Sequence, residues 1–141
     1  MGRAMEQISS AGENIASIQG GLSIALADHA QNPRNMEIPE NYNGFGINDG
    51  FCGDMMCMWV LVQEGIIKCA TFNTDGCGHS IACGSIITDL ARGKTLEETG
   101  ELTPDKVIEA LGGLPEEHVH CASLAAATLQ LAIADYLHPA D

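Results

Sequence analysis

Three cysteines carry the most chemistry in this 141-residue chain. Cys52 sits in Gly50-Phe51-Cys52-Gly53-Asp54, Cys77 in Asp75-Gly76-Cys77-Gly78, and Cys121 directly after His120 behind Leu114-Pro115. A sulfur flanked by glycines has no neighbouring side chain to cover it, so it can meet whatever approaches the turn. Cys77 and Cys121 also fall near predicted helix N-termini, where the helix dipole and free N–H groups favour a thiolate. Thiolate is the form that binds soft metals and attacks sulfur. Asp54 and His120, two residues and one residue from a cysteine, can add an oxygen and a nitrogen ligand. The spacings exclude a zinc finger, whose ligands come in close CxxC pairs. A metal or sulfur site fits these residues, and so does a nucleophile, with Cys77 attacking and His120 as its base.

The other cysteines read differently. Cys57 and Cys69 fall inside predicted strands as core or half-buried thiols. Cys83 is four residues after His79 on a predicted helix, so the two share a face near Cys77; His79 is read first as a solvated helix-start residue and second as an alternative ligand. Met55, Met56 and Met58 read as core and sheet surface, and Trp59 as a packing anchor.

These loop-edge residues need a frame to hold them. The length suits one domain with a real core. Apolar residues are 45% of the chain and aromatics only 4%, so packing rests on Ile, Leu, Val, Met and Ala. A net charge of −13 argues against nucleic acid or an anionic membrane as partner, since both demand a positive patch. No apolar run reaches the roughly 20 residues of a membrane span, and the first 20 residues lack the apolar stretch of a secretory signal. A cytoplasmic chain is expected, in which six cysteines point to metal or sulfur chemistry rather than disulfides.

Helical spacing of Ile15, Ile18, Leu22 and Leu26 predicts a first helix from Asn14 to Gln31, weakened at Gly20-Gly21 and stopped at Asn32-Pro33. Gly44-Phe45-Gly46-Ile47 suits a short strand. Met55–Gln63 and Ile66–Thr74 read as a hairpin turning at Glu64-Gly65. Strict alternation in the second strand would put Ile66, Lys68, Ala70 and Phe72 on one side and Ile67, Cys69 and Thr71 on the other. A helix is expected from Ser80 to Ala91 with Gly93 as its left-handed cap. A capping box at Thr95-Leu96-Glu97-Glu98 and an N-cap at Thr103-Pro104 start two more. The last helix spans Val119–Leu137, with Leu124, Ala127, Leu131 and Ala134 as its core stripe. The fold class is α+β: a small antiparallel sheet of about three strands with helices packed on one face.

Asp28-His29-Ala30-Gln31-Asn32-Pro33-Arg34-Asn35, Cys52-Gly53-Asp54, Gly76-Cys77-Gly78, Gly93-Lys94 and Leu114-Pro115…His120-Cys121 together resemble the IscU and NifU N-terminal-domain family of iron–sulfur cluster scaffolds. The motifs occur in the family's order over about residues 22 to 137. This divides the chain into an N-terminal extension, 1–21, helical or frayed, and a scaffold domain, 22–141. The resemblance implies that Cys52, Cys77 and Cys121 are the scaffold cysteines, with Asp54 and His120 as exchangeable metal ligands. It implies sulfur received from a cysteine desulfurase, iron bound as a [2Fe–2S] cluster, and transfer to acceptor apoproteins, with no turnover of the chain's own. Three thiolates and one O or N ligand hold a cluster less tightly than four thiolates, which suits transient storage.

The sequence departs from the family at Leu114-Pro115-Glu116-Glu117-His118. There the family has Leu-Pro-Pro-Val-Lys, read by an Hsp70-type chaperone, and His118 in place of the lysine puts that contact in doubt. Family members also bind zinc at this site, so a zinc-bound SufU-like sulfur acceptor stays open beside the scaffold and the nucleophile, although His120 counts against it. Monomer and homodimer both fit.

Overall fold

The computed structural model describes residues 23–50 and 53–139. The predicted first helix falls partly outside them, with Ile15, Ile18 and Leu22. The described helix, α1 (Ile24–Gln31), starts at the Ser23 N-cap, whose hydroxyl accepts from the Leu26 N–H. Strands β1 (Gly44–Asp49), β2 (Met55–Gln63) and β3 (Ile66–Thr74) follow, then α2 (Gly78–Ala91), a 3-10 turn at Glu98–Glu101, α3 (Pro104–Ala110), a second 3-10 turn at Glu116–His118, and α4 (Val119–Leu137). The strands form one antiparallel sheet in the order β1-β2-β3. Among the described residues no helix is long and apolar enough to cross a membrane.

Local sequence chemistry explains most of the boundaries. Glu64 and Gly65 both take positive φ, 57° and 77°, as a tight two-residue hairpin turn requires. Thr95 and Glu98 form the reciprocal capping box: each side-chain oxygen accepts from the other's backbone N–H, at 3.1 and 2.9 Å. Thr103 caps α3 by accepting from the Lys106 N–H, with Pro104 in the first turn. Gly93 ends α2 at φ 86°.

Met56, Met58, Val60 and Val62 of β2 and Ile67, Ala70 and Phe72 of β3 form the buried sheet face, and α2 and α4 cover it. The opposite face keeps Phe45, Cys57, Trp59, Leu61 and Cys69 half-buried, with Phe45 and Trp59 packed ring to ring at 5.4 Å. Strict alternation in β3 fails at one residue. Leu61 pairs with Cys69 and Val62 with Ile67, so Lys68 is the extra residue of a β-bulge. The bulge turns Ile67 onto the same face as Ala70 and Phe72 and leaves Lys68 exposed.

α2 is buried nearly all round, from Ser80 to Ala91, as expected of the central helix of a small domain. Gly84 lets it lie on β3, because a Cβ there would stand 2.5 Å from the Phe72 ring. The Asp28–Asn35 segment fastens α1 to this helix. Ser85 Oγ accepts from the Arg34 N–H at 2.8 Å and lies 2.6 Å from buried His29 Nδ1. Asn35 Nδ2 donates to Thr88 Oγ1 at 3.2 Å and its carbonyl accepts from the Phe72 N–H at 2.9 Å. The Arg34 side chain pairs with Asp28 at 2.7 Å.

The core stripe of α4 is not the expected one. Leu124 is buried as expected, but Ala127, Leu131 and Ala134 are exposed, and the buried face runs through Cys121, Ala122, Leu124, Ala125, Thr128, Leu129, Ala132 and Ile133. Apolar residues surround most of this helix, so periodicity alone leaves its phase open. The partner decides: β1 lies against Thr128 and Ala132 through Gly44 and Gly46, and that contact turns Cys121 inward.

Candidate metal centre

The turn between β3 and α2 positions Cys77. Asp75 Oδ1 accepts from the Met55 N–H at 2.8 Å, and Thr74 Oγ1 donates to the Met55 carbonyl at 2.5 Å while accepting from the Gly76 N–H at 3.1 Å. These bonds tie the turn to the start of β2, next to Asp54. Cys77 is the N-cap residue of α2, extended in backbone and exposed, with no side-chain capping bond. Its sulfur is therefore not engaged in capping the helix.

Cys121 arrives from the other side of the pocket, on the first turn of α4, and is buried. Ser80, on the first turn of α2, joins the two sides. Its hydroxyl lies 2.9 Å from Asp54 Oδ2, 3.4 Å from Cys121 Sγ and 4.0 Å from Cys77 Sγ. A serine has one proton, so it donates to Asp54 or to Cys121, not to both at once. Along the chain Ser80 reads only as a helix start; its place one turn after Cys77, on the inward side of a buried helix, is the signal of its role. Gly76 is required here on steric grounds, because a Cβ would sit 2.6 Å from Ser80 Oγ and 2.8 Å from Asp54 Oδ2.

Two overlapping sets of ligand atoms result. Asp54, His120 and Cys121 offer an oxygen, a nitrogen and a sulfur within 4.8 Å of one another, and Cys77, His118 and Cys121 offer two sulfurs and a nitrogen within the same limit. Cys121 belongs to both. His120 Nε2 is 3.8 Å from Cys121 Sγ. The ring beside Cys77 Sγ is His79, at 3.9 Å, which stacks on His118 instead of standing in solvent. Of the five residues expected at the site, Asp54, Cys77, His120 and Cys121 are brought together; Cys52 lies outside the described residues. Cys57 and Cys69 are half-buried thiols, as expected, and Cys83 is fully buried behind the site in the core.

Burial decides the state of the inner thiols. The expected thiolate at Cys121 does not hold in the metal-free protein. Burial pushes the thiol up to about 11, against the lowering donation from Ser80, and negative charge at Cys77 and Asp54 adds to the rise. Cys83 is raised further, first by burial and then by charge on Cys121 and Cys77. A cation among these sulfurs reverses the balance, since it favours the thiolates and expels their protons.

The raised thiols make a stability prediction for the metal-free form. Above the ordinary thiol value of 9.0, a folded state whose Cys121 titrates only near 11 binds more protons than the unfolded chain. Stability is then complete below pH 9.0 and falls as pH rises toward about 11. Urea midpoints of chelator-treated protein across this range should fall steadily, and Cys83→Ala should flatten the decline. A midpoint that does not move with alkaline pH contradicts the assignment.

Comparison with known proteins agrees with this arrangement. Residues 23–140 match the family described as "NifU-like N terminal domain". The iron–sulfur cluster assembly scaffold protein IscU 1 of Archaeoglobus fulgidus is 46% identical over 110 residues, covering 77% of this chain and 72% of that protein. The IscU of Escherichia coli K12 is 39% identical over 117 residues, covering 79% of this chain and 90% of the relative. In fold, the chain is similar to the N-terminal NifU-like protein of Brucella abortus, with a TM-score of 0.70 at 13% identity over 87% of this chain and 99% of the other. The protein FiSufU of Fervidobacterium islandicum has a TM-score of 0.63 at 20% identity over 79% and 95% of the two chains. A shared domain over nearly all the described residues, with the paired cysteines and their Asp and His in one pocket, places this chain in the NifU-like N-terminal domain family, together with the IscU proteins.

Proposed function

We propose that this chain is a scaffold on which an iron–sulfur cluster is assembled and from which it is handed on. One observation carries the reading. Cys77 and Cys121, 44 residues apart in sequence, meet in a single pocket with Asp54 and His120, in a chain whose relatives are named as cluster scaffolds. The cluster is cargo rather than a resident cofactor. Cys52, two residues before Asp54 in the sequence, supplies the third thiolate, and Asp54 and His120 are the exchangeable oxygen and nitrogen ligands. Three thiolates and one weaker donor suit a [2Fe–2S] cluster that must later leave, and the same donor types accept zinc. We assign 22–141 as the scaffold domain and 1–21 as an extension.

The chain has no turnover of its own in this reading. A cysteine desulfurase supplies sulfur and cluster-accepting apoproteins receive the product, in the cytoplasm, by a monomer or a homodimer. An Hsp70-type chaperone is the partner with least support, because His118 replaces the family's lysine and its ring turns toward Cys77 and Cys121.

Anaerobic reconstitution of the full chain with ferrous iron and sulfide tests the proposal. The expected result is a visible cluster absorption that disappears when Cys52, Cys77 and Cys121 are all changed to serine. No cluster in the parent chain, or an intact one in the triple variant, overturns it. Loss of function confined to Cys77, with Cys52 and Cys121 dispensable, would favour the nucleophile instead.

A further inference from the structure

His118 closes the 3-10 turn Glu116–His118 and serves as N-cap residue of α4, yet its side chain makes no capping hydrogen bond. The ring turns inward instead. Its Nδ1 is buried with no hydrogen-bond partner among the described residues. Such an atom carries the full cost of its lost hydration unless something pairs with it.

Two neighbours limit what that partner can be. One ring nitrogen of His118 lies with Cys77 Sγ and Cys121 Sγ in a group whose members are all within 4.8 Å of one another. Around a tetrahedral zinc ion, with bonds of about 2.0 Å to nitrogen and 2.3 Å to sulfur, ligand atoms stand roughly 3.5–3.8 Å apart. A contraction of at most about 1.3 Å therefore closes the set on an ion. The second neighbour is His79, whose ring lies flat on that of His118, with centroids 3.7 Å apart and planes within 5°. An imidazole lone pair lies in its ring plane, so two parallel stacked rings cannot both aim at one ion.

We propose that His118 is a metal ligand. With Cys77 and Cys121 it forms a sulfur-rich set for a borderline-soft divalent cation such as zinc, and this set works without Asp54 or His120. His79 is the positioning residue that holds the His118 ring in its plane. The proposal rests on reading the pocket as a metal site. It adds a donor set of two sulfurs and one nitrogen beside the set of one oxygen, one nitrogen and one sulfur, with Cys121 common to both. Soft ions favour the first set, harder ones the second.

The test is an anaerobic cobalt(II) titration of the full chain, with no iron or sulfide present. Its failure is thus separate from failure of cluster assembly. In Asp54→Ala/His120→Ala protein, one cobalt should still bind with strong thiolate-to-metal absorption. Adding His118→Phe keeps a ring on His79 but removes the nitrogen. It should weaken cobalt binding at least about tenfold, the lower end of what losing even an outer partner of a metal ligand costs. His118→Cys should restore binding while His118→Ser, of the same size, should not. This pair also decides the matter should the phenylalanine variant fold poorly. His79→Phe should preserve the affinity and His79→Ala should lower it. No cobalt bound by the double variant, unchanged affinity with His118→Phe, or equal binding by His118→Cys and His118→Ser overturns the assignment of His118. A loss in His79→Phe as large as in His118→Phe overturns the positioning role.

Discussion

Replacing Cys121 by serine should remove both metal binding and cluster assembly, with a larger effect than any other single change at the site. The reason is position. Among the described residues Cys77, Asp54, His118 and His120 each belong to one ligand set, whereas Cys121 belongs to both, so its loss breaks both sets at once. A hydroxyl does not replace the sulfur, because its proton is far harder to remove and soft ions prefer thiolate. Removing a direct ligand should cost at least about a hundredfold in cobalt affinity, the upper end of the range for outer partners, or roughly 3 kcal/mol. Cys77→Ser should cost less, since Asp54, His120 and Cys121 persist. Cys83→Ala controls for loss of a buried thiol: it should lower the urea midpoint while metal affinity stays. Cobalt titration of the three variants gives the ranking. If Cys121→Ser binds cobalt as well as Cys77→Ser does, Cys121 is not the shared ligand.

That ranking could not be read from the sequence, and the reason is geometric. The local settings of Cys77 and Cys121, on a glycine turn and behind a proline-bounded segment, pointed to both as ligands. So did the neighbours Asp54 and His120, because each is close to a cysteine along the chain. The strands, the hairpin turn and the helix caps were legible for the same reason: Glu64-Gly65, Thr95…Glu98 and Thr103-Pro104 each act within a few residues. What escaped depends on packing between distant segments. Ser80 reaches Asp54 and Cys121 only once α2, the β1–β2 connection and α4 are assembled. The ligand role of His118 depends on its ring turning toward Cys77, 41 residues earlier in the chain. Lys68 bulges out of β3 and reverses the phase of Ile67, which no alternation rule reveals. In α4 the apolar residues cover too much of the circumference to mark a face, and the glycines of β1 select it.

Those glycines carry the largest expected effect on folding. A Cβ at Gly46 would stand 2.6 Å from the Ala132 nitrogen, 2.8 Å from the Thr128 carbonyl oxygen and 2.9 Å from the Leu131 Cβ. Two of these are backbone atoms inside a helix, so no rotamer change relieves the clash; β1 and α4 must separate. Overpacking of this kind costs typically 1–3 kcal/mol and sometimes more, and backbone contacts put Gly46→Ala at about 3 kcal/mol or above. Against a domain stability of roughly 5–15 kcal/mol, that is a large share. A better strand propensity for alanine than for glycine recovers only part of it. Gly65→Ala makes the comparison, since a Cβ there meets nothing within 4 Å but the backbone sits at φ 77°; it should cost less, about 1 kcal/mol or so of left-handed strain. The effect of Gly46→Ala should also reach the metal centre. Cys121 is on the first turn of α4, two turns before Thr128 on the same buried face, so a helix pushed off β1 carries its sulfur away from Ser80 and Asp54. Urea midpoints of metal-free protein should therefore fall furthest for Gly46→Ala. Cobalt affinity should fall with it and stay unchanged in Gly65→Ala. A folded Gly46→Ala protein with parental stability would mean that β1 does not set the position of α4.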